Sequence, residues 1–200
     1  MHKFHIPFLL VACMATSAFW GCGSDSNDED DSFVNVGGQL WSKENLNIPI
    51  EGSFCYDSLS TNCEKYGRLY TWTMAMNIDE SYATTELGKI KLPHQGICPA
   101  GSHLPSLSEW QQLDDYLNKH PSEKELFLNQ IGGFYRPNSG FSNENIELLM
   151  WTSTEYDYSD RPYADKYNFA WLVVHRKNLT TTQDNPVKQV GASVRCIKNK

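Results

Sequence analysis

The chain has 200 residues, a formal charge of −7 at pH 7 and 20% charged side chains. That length supports one ordinary domain with a core of its own. The acidic balance and the lack of any run of Lys or Arg weigh against nucleic acid or a polybasic membrane surface as partner, because both need clustered positive charge.

Residues 1–21 are expected to be a secretory signal segment, with Lys3 as its positive region and an apolar stretch over 4–19. The stretch is too short and too interrupted for a transmembrane helix, which needs roughly 20 apolar residues. Two cysteines compete for a lipid. Cys13 follows Leu10, Val11 and Ala12, which is closer to the usual lipobox, but cleavage there leaves an apolar region of only nine residues, 4–12. Cys22 follows Gly21 and opens a tether, so Cys22 is the expected lipid site, although Trp20 is unusual beside it. Residues 22–32 then form the lipidated cysteine and an acidic tether. GSDSNDEDDS at 23–32 holds five acids and no apolar residue, so it has nothing to bury. The expected location is the outer membrane, through the lipid anchor, facing either the cell surface or the periplasm.

The globular part is expected over 33–200. Val34 and Val36 precede Gly37-Gly38, and Leu40 and Trp41 follow, which is a two-residue hairpin signal. Tyr66, Leu69, Tyr70, Thr73 and Met76 recur at helical spacing, predicting one helix over 64–77. Ser106 stands three residues before Glu109 as a capping box, and Leu107, Trp110, Leu113 and Leu117 share the face of a second helix. A polar, helix-compatible stretch runs to Gln130. Strands and turns follow from Gly132, with strands expected at 148–154, 168–175 and 187–198. In the last, Val190, Ala192, Val194 and Cys196 alternate with Gly191, Ser193 and Arg195, placing Cys196 on a buried face. Hairpin, helices, then strands indicate an α+β domain with helices segregated from an antiparallel sheet.

Cys55, Cys63, Cys98 and Cys196 are an even number in an exported domain, where disulfides are expected. Three pairings are open. A Cys55–Cys63 bridge would close a short loop and contribute about 2.5 kcal/mol, a Cys98–Cys196 bridge about 4.7 kcal/mol. Zinc is disfavoured by the lack of a C-x-x-C or a close Cys/His quartet.

GQLWSKENLN at 38–47, CEKYGRLYTW at 63–72, CPAGSHLPS at 98–106 with Glu109-Trp110, WTSTE at 151–155 and SVRCI at 193–197 together resemble the Fibrobacter succinogenes major paralogous domain family. That family looks related to the C-type lectin-like fold, and the 98–110 segment is similar to a stretch of formylglycine-generating sulfatase-modifying enzymes. The resemblance implies two helices packed on a twisted antiparallel sheet, paired terminal strands, and the disulfides Cys55–Cys63 and Cys98–Cys196. It carries no established activity.

Calcium-dependent lectins use a Glu-Pro-Asn or Gln-Pro-Asp loop and a Trp-Asn-Asp strand to hold cation and sugar. Here Arg136-Pro137-Asn138 and Trp151-Thr152-Ser153 stand in loosely similar places without the needed anion and calcium pair, so an ordinary turn and strand are expected. Sulfatase-modifying chemistry needs reactive cysteines, and the resemblance gives all four to disulfides. The tryptophans at 41, 72, 110, 151 and 171 are expected in the core. Residues 155–167 differ: Tyr156, Asp157, Tyr158, Asp160 and Tyr163 form a loop able to stack on and hydrogen-bond to polysaccharide or protein. His94, Cys98 and His103 lie close in sequence and are read as structural. Glu44, Glu64, Glu109 and Glu155 would serve as glycosidase carboxylates only if the fold paired two of them. No nucleophile elbow or zinc-protease motif occurs. The expected function is a cell-surface, non-catalytic binding or adhesion module for glycan or an envelope protein, with no cofactor and no metal. The alternatives are an enzyme acting on extracellular polysaccharide and a structural envelope lipoprotein without a ligand.

Overall fold

The computed structural model describes residues 31–157, 168–178 and 180–200. The signal segment, Cys13, Cys22 and the tether through residue 30 lie outside the described residues, as do Tyr158, Asp160 and Tyr163.

The expected hairpin forms from β1 (Phe33–Val36) and β2 (Gln39–Ser42). Gly37 and Gly38 take φ values of 61° and 81°, the left-handed pair that a two-residue turn needs to match strand twist. β2 then pairs antiparallel with β9 (Ile197–Lys198) through Trp41 and Ile197, and β9 pairs with β3 (Ser102–His103). This four-stranded sheet joins the start of the domain to its last strand.

Where one helix was expected over 64–77, two short ones stand: α1 (Ser60–Tyr66) and α2 (Trp72–Met76). The break is backbone chemistry. Gly67 ends α1 at φ 76°, and a Cβ there would sit 2.8 to 2.9 Å from the Asn45 side chain and the Asn45 and Leu46 carbonyls. The next amides are taken by other segments: Arg68 N–H donates to Leu46, Leu69 to Phe54 and Tyr70 to Ala192. Helix periodicity survived the interruption because Tyr66, Tyr70 and Met76 still face inward. α3 (Leu107–Leu117) starts at Ser106 with both halves of the capping box made, and α4 (Pro121–Phe127) follows with Pro121 at its first turn.

Strands β4 (Phe134–Arg136) and β5 (Gly140–Ser142) make a hairpin, so Arg136-Pro137-Asn138 is a turn between paired strands. β6 (Glu147–Glu155), β7 (Ala170–Arg176) and β8 (Thr181–Asp184) form a three-stranded antiparallel sheet, with a register shift between Trp151 and Glu155. Among the described residues the architecture is therefore α+β with four α-helices and three antiparallel sheets, where two helices on one sheet were expected.

Segment 187–198 departs most from expectation. Only Ile197–Lys198 is a regular strand, and Val187, Gly191, Ala192 and Ser193 make single bridges to four different partners. It threads between two half-cores, so both of its faces are buried. One half-core holds Tyr70, Trp72, Trp151, Leu172, Val194 and neighbours; the other holds Trp41, Trp110, Leu117, Phe127, Val173 and Ile197. Arg195, on the face that alternation left unassigned, is fully buried: Nε donates to Asn45 Oδ1 at 3.0 Å and the guanidinium lies 4.1 Å from the Phe127 ring. Four of the five tryptophans expected inside have no exposed surface; Trp171 is only half-buried. Cys55 is bonded to Cys63 and Cys98 to Cys196, the two pairs that the resemblance implied.

Candidate functional site

Of the five loop residues expected to bind a ligand, Tyr156 and Asp157 are described. Tyr156 is half-buried at the end of β6, its ring 5.4 Å from that of Trp171 on β7, and Asp157 is exposed. The pair gives a partly open aromatic surface of the kind that stacks on sugar rings. Glu155, one residue earlier, turns inward. Its carboxylate accepts from the backbone N–H groups of Leu87 and Gly88 and from Lys188 Nζ.

The structure also builds a site that no single stretch of sequence announces. A cleft of about 670 Å³ opens where the β1–β2 turn, the 92–93 loop, the start of α3 and the residues after β9 meet. Leu40 and Leu92, both exposed, line it along with Pro93. Its polar lining includes His103, Ser106, Glu109, Ser153 and Asn199, brought together by β3, α3, β6 and β9. The capping box was legible as a helix start. That the same Ser106 and Glu109 face a cleft depends on contacts far apart in sequence.

His103 and Glu109 define the electrostatics. His103 Nε2 lies 2.9 Å from Glu109 Oε1, and Nδ1 lies 2.7 Å from Asn199 Oδ1. Burial pulls the imidazole toward its neutral form, but the hydrogen bonds to Glu109 and Asn199 outweigh it and the pKa is raised. Burial likewise pushes the Glu109 carboxyl up, and His103 together with the Ser106 N–H and hydroxyl brings it below its ordinary value. Both shifts favour the imidazolium–carboxylate form of the pair. Both ring nitrogens face oxygen acceptors, so neither is placed to take a proton from Ser106. The Ser106 hydroxyl donates to Glu109 Oε2 at 2.8 Å. The cluster therefore lacks the serine-to-histidine relay of a nucleophilic hydrolase.

The other glutamates divide. Glu44, Glu64 and Glu123 line a second cleft with Lys43 and Lys65 around Leu126 and Phe127. Glu44 and Glu64 are exposed, and Glu123 accepts from the Tyr116 hydroxyl. His94, Cys98 and His103 do not converge on a metal position: His94 bonds the Met76 carbonyl, Cys98 is in its disulfide and His103 is in the ion pair. Among the described residues no group of three or more His, Cys, Asp or Glu could hold a metal ion, and no helix is long and apolar enough to cross a membrane.

Compared with known proteins, residues 34–131 match the family model described as the Fibrobacter succinogenes major domain. The match runs from β1 through α4 and includes Cys55, Cys63 and Cys98. No curated protein and no solved structure matches the chain.

Proposed function

With residues 34–131 forming a Fibrobacter succinogenes major domain, we propose that the chain is a cell-surface lipoprotein whose globular part is a non-catalytic binding or adhesion module for glycan or protein. The observation that carries the reading is the state of the cleft. It is concave, edged by exposed Leu40 and Leu92, and its one acid–base pair, His103 with Glu109, is held by its own neighbours. Such a surface offers shape and hydrogen bonds to a ligand without a group free to do proton transfer. The Tyr156–Trp171 pair adds a second contact surface.

The export signal, Cys22 lipidation and an outer-membrane location rest on the sequence of residues 1–32. A C-type lectin-like fold is supported by the pairing of β2 with β9, the Cys98–Cys196 bond and the helices α1 to α4 around short antiparallel sheets.

A polysaccharide-acting enzyme is the competing reading, because Glu44, Glu64 and Glu123 line one cleft. Glycoside hydrolysis needs one carboxylic acid kept protonated by its surroundings, and none of these three is buried. The test is retention of the oxidised 32–200 form on a panel of plant and bacterial polysaccharides, with and without a calcium chelator, while released reducing ends are measured. Retention without new reducing ends, weakened by Tyr156→Ala or by cleft substitutions, supports the module. Steady release of reducing ends that is lost in Glu64→Gln overturns it.

A further inference from the structure

We infer that the cleft beside α3 binds a carboxylate-bearing saccharide, with the Ser153 hydroxyl as a donor to the ligand. The inference rests on the reading of the domain as a binding module and gives that module a ligand class.

Ser153 lines the cleft, is 3% exposed, and its Oγ has no hydrogen-bond partner among the described residues. A buried hydroxyl left without a partner is costly, so a ligand oxygen reaching it would recover that loss. The side chain is held in place by its own backbone, since Ser153 N–H donates to the Pro105 carbonyl at 2.8 Å. Its neighbour Thr152 has its hydroxyl engaged with Trp171 O, so the unmet capacity belongs to Ser153 alone in this stretch.

Two features of the surroundings favour an anion. The first turn of the eleven-residue helix α3 lines the cleft through Ser106, Ser108 and Glu109, and a helix N-terminus carries partial positive charge. The cap hydroxyl is already engaged, so the helix supplies its field more than a free donor. Among the lining side chains Glu109 is the one carboxylate, and it is hydrogen-bonded to His103. Lys198, whose Nζ lies 5.0 Å from the Phe33 ring centre, and Lys200 bring positive side chains to the lining in a chain of net −7. A carboxylate accepting from a hydroxyl makes a charge-assisted hydrogen bond, stronger than a neutral one.

The rest of the lining fits a sugar. Gln39, Gln112, Ser108 and Asn199 offer amides and a hydroxyl suited to a polyol, and Leu40 with Leu92 offers an apolar face for ring C–H groups.

The experiment is titration of the full-length, disulfide-oxidised protein with an oligogalacturonate and with the same oligomer methyl-esterified, which turns each charged carboxylate into a neutral ester. The acid form is expected to bind at least about tenfold more tightly than the ester, with affinity falling as salt rises from about 50 to about 500 mM. Ser153→Ala should lose about tenfold in affinity while Tm stays the same or rises, because the unpartnered hydroxyl is removed, and Lys198→Gln should weaken binding and flatten its salt dependence. Equal binding of acid and ester, or unchanged affinity in Ser153→Ala, overturns the carboxylate site and leaves the module reading intact. Failure of both oligomers to bind also overturns it, and the polysaccharide and envelope-protein panel then decides the module reading separately.

Discussion

Lys188 and Glu155 form a buried ion pair that fastens the 79–92 loop to the core. Lys188 has no exposed surface; its Nζ donates to Glu155 Oε1 at 2.5 Å and to the carbonyls of Tyr82 and Thr85, and it lies 4.7 Å from the Trp72 ring. From the other side Glu155 accepts the Leu87 and Gly88 N–H groups.

Removing one partner leaves the other charge buried. Lys188→Met should therefore cost about 3 to 5 kcal/mol in denaturant unfolding, whereas Lys188→Met with Glu155→Gln should cost less than the sum of the single changes. Additive effects in the double-mutant cycle would show that the two groups act independently.

Asp114 and His175 face each other at 3.8 Å inside the half-core, beside Lys124 and Thr181. Burial raises Asp114 to about 7, opposed by Lys124, and burial lowers His175 to about 3, helped by Lys124 and Arg195. An acid with a raised pKa makes stability fall with rising pH between about 4 and 7, because the folded state holds the proton that the unfolded state releases. A histidine with a lowered pKa makes stability rise with pH between about 3 and 6.5, because the unfolded state holds the extra proton. The two slopes cancel over their shared window. Unfolding free energy attributable to this pair should be flat from about pH 4 to 6.5 in the parent, rise with pH in Asp114→Asn and fall in His175→Phe, each by up to about 1.4 kcal/mol per pH unit. Parallel profiles in all three proteins would refute the coupling.

Gly67 and Gly101 share a left-handed φ, 76° and 79°, but differ in surroundings. A Cβ at Gly67 meets Asn45 and Leu46 at under 3.0 Å, and one at Gly101 meets nothing within 4 Å. Gly101→Ala should cost about 1 kcal/mol, the intrinsic penalty, and Gly67→Ala about 2 kcal/mol more. Equal losses in thermal unfolding would remove the steric argument for the break between α1 and α2.

If Cys22 carries the lipid, Cys22→Ser should abolish incorporation of a labelled fatty acid and release the protein into the soluble fraction, while Cys13→Ser should do neither. The reverse pattern assigns the lipid to Cys13.

Local features were legible in the sequence. Gly37-Gly38 forced a left-handed turn, Ser106 and Glu109 fixed the start of α3, and the apolar runs at 148–154 and 168–175 became β6 and β7. What failed was any inference needing the second side of a segment. Alternation in 187–198 marked one buried face, but Ser193 and Arg195 are polar, so nothing in the pattern disclosed that they are buried as well. Lys188 reads as a surface residue until the carbonyls of Tyr82 and Thr85 are placed around it. The break at Gly67 was hidden because the residues after it kept their inward positions while their amides went to other segments. The cleft was invisible for the same reason: Leu40, Leu92, Glu109, Ser153 and Asn199 come from five stretches of chain. The disulfide pairing came from family resemblance, since four cysteines admit three connectivities.

The junction of β2, β9 and the Cys98–Cys196 bond also sets how the domain answers a mechanical pull. Tension arriving along the chain at residue 31 meets the β1–β2 hairpin first, and the Trp41–Ile197 pairing with the Ser42–Cys196 hydrogen bonds next. Beyond that, Cys196 stands one residue from β9 and is tied covalently to Cys98, so separating β2 from β9 does not free β9 from the interior. Peeling the hairpin takes Trp41 out of its half-core and Leu40 from the edge of the cleft, so tension on the chain would open the cleft while the Cys98–Cys196 bond keeps β9 fastened to the interior.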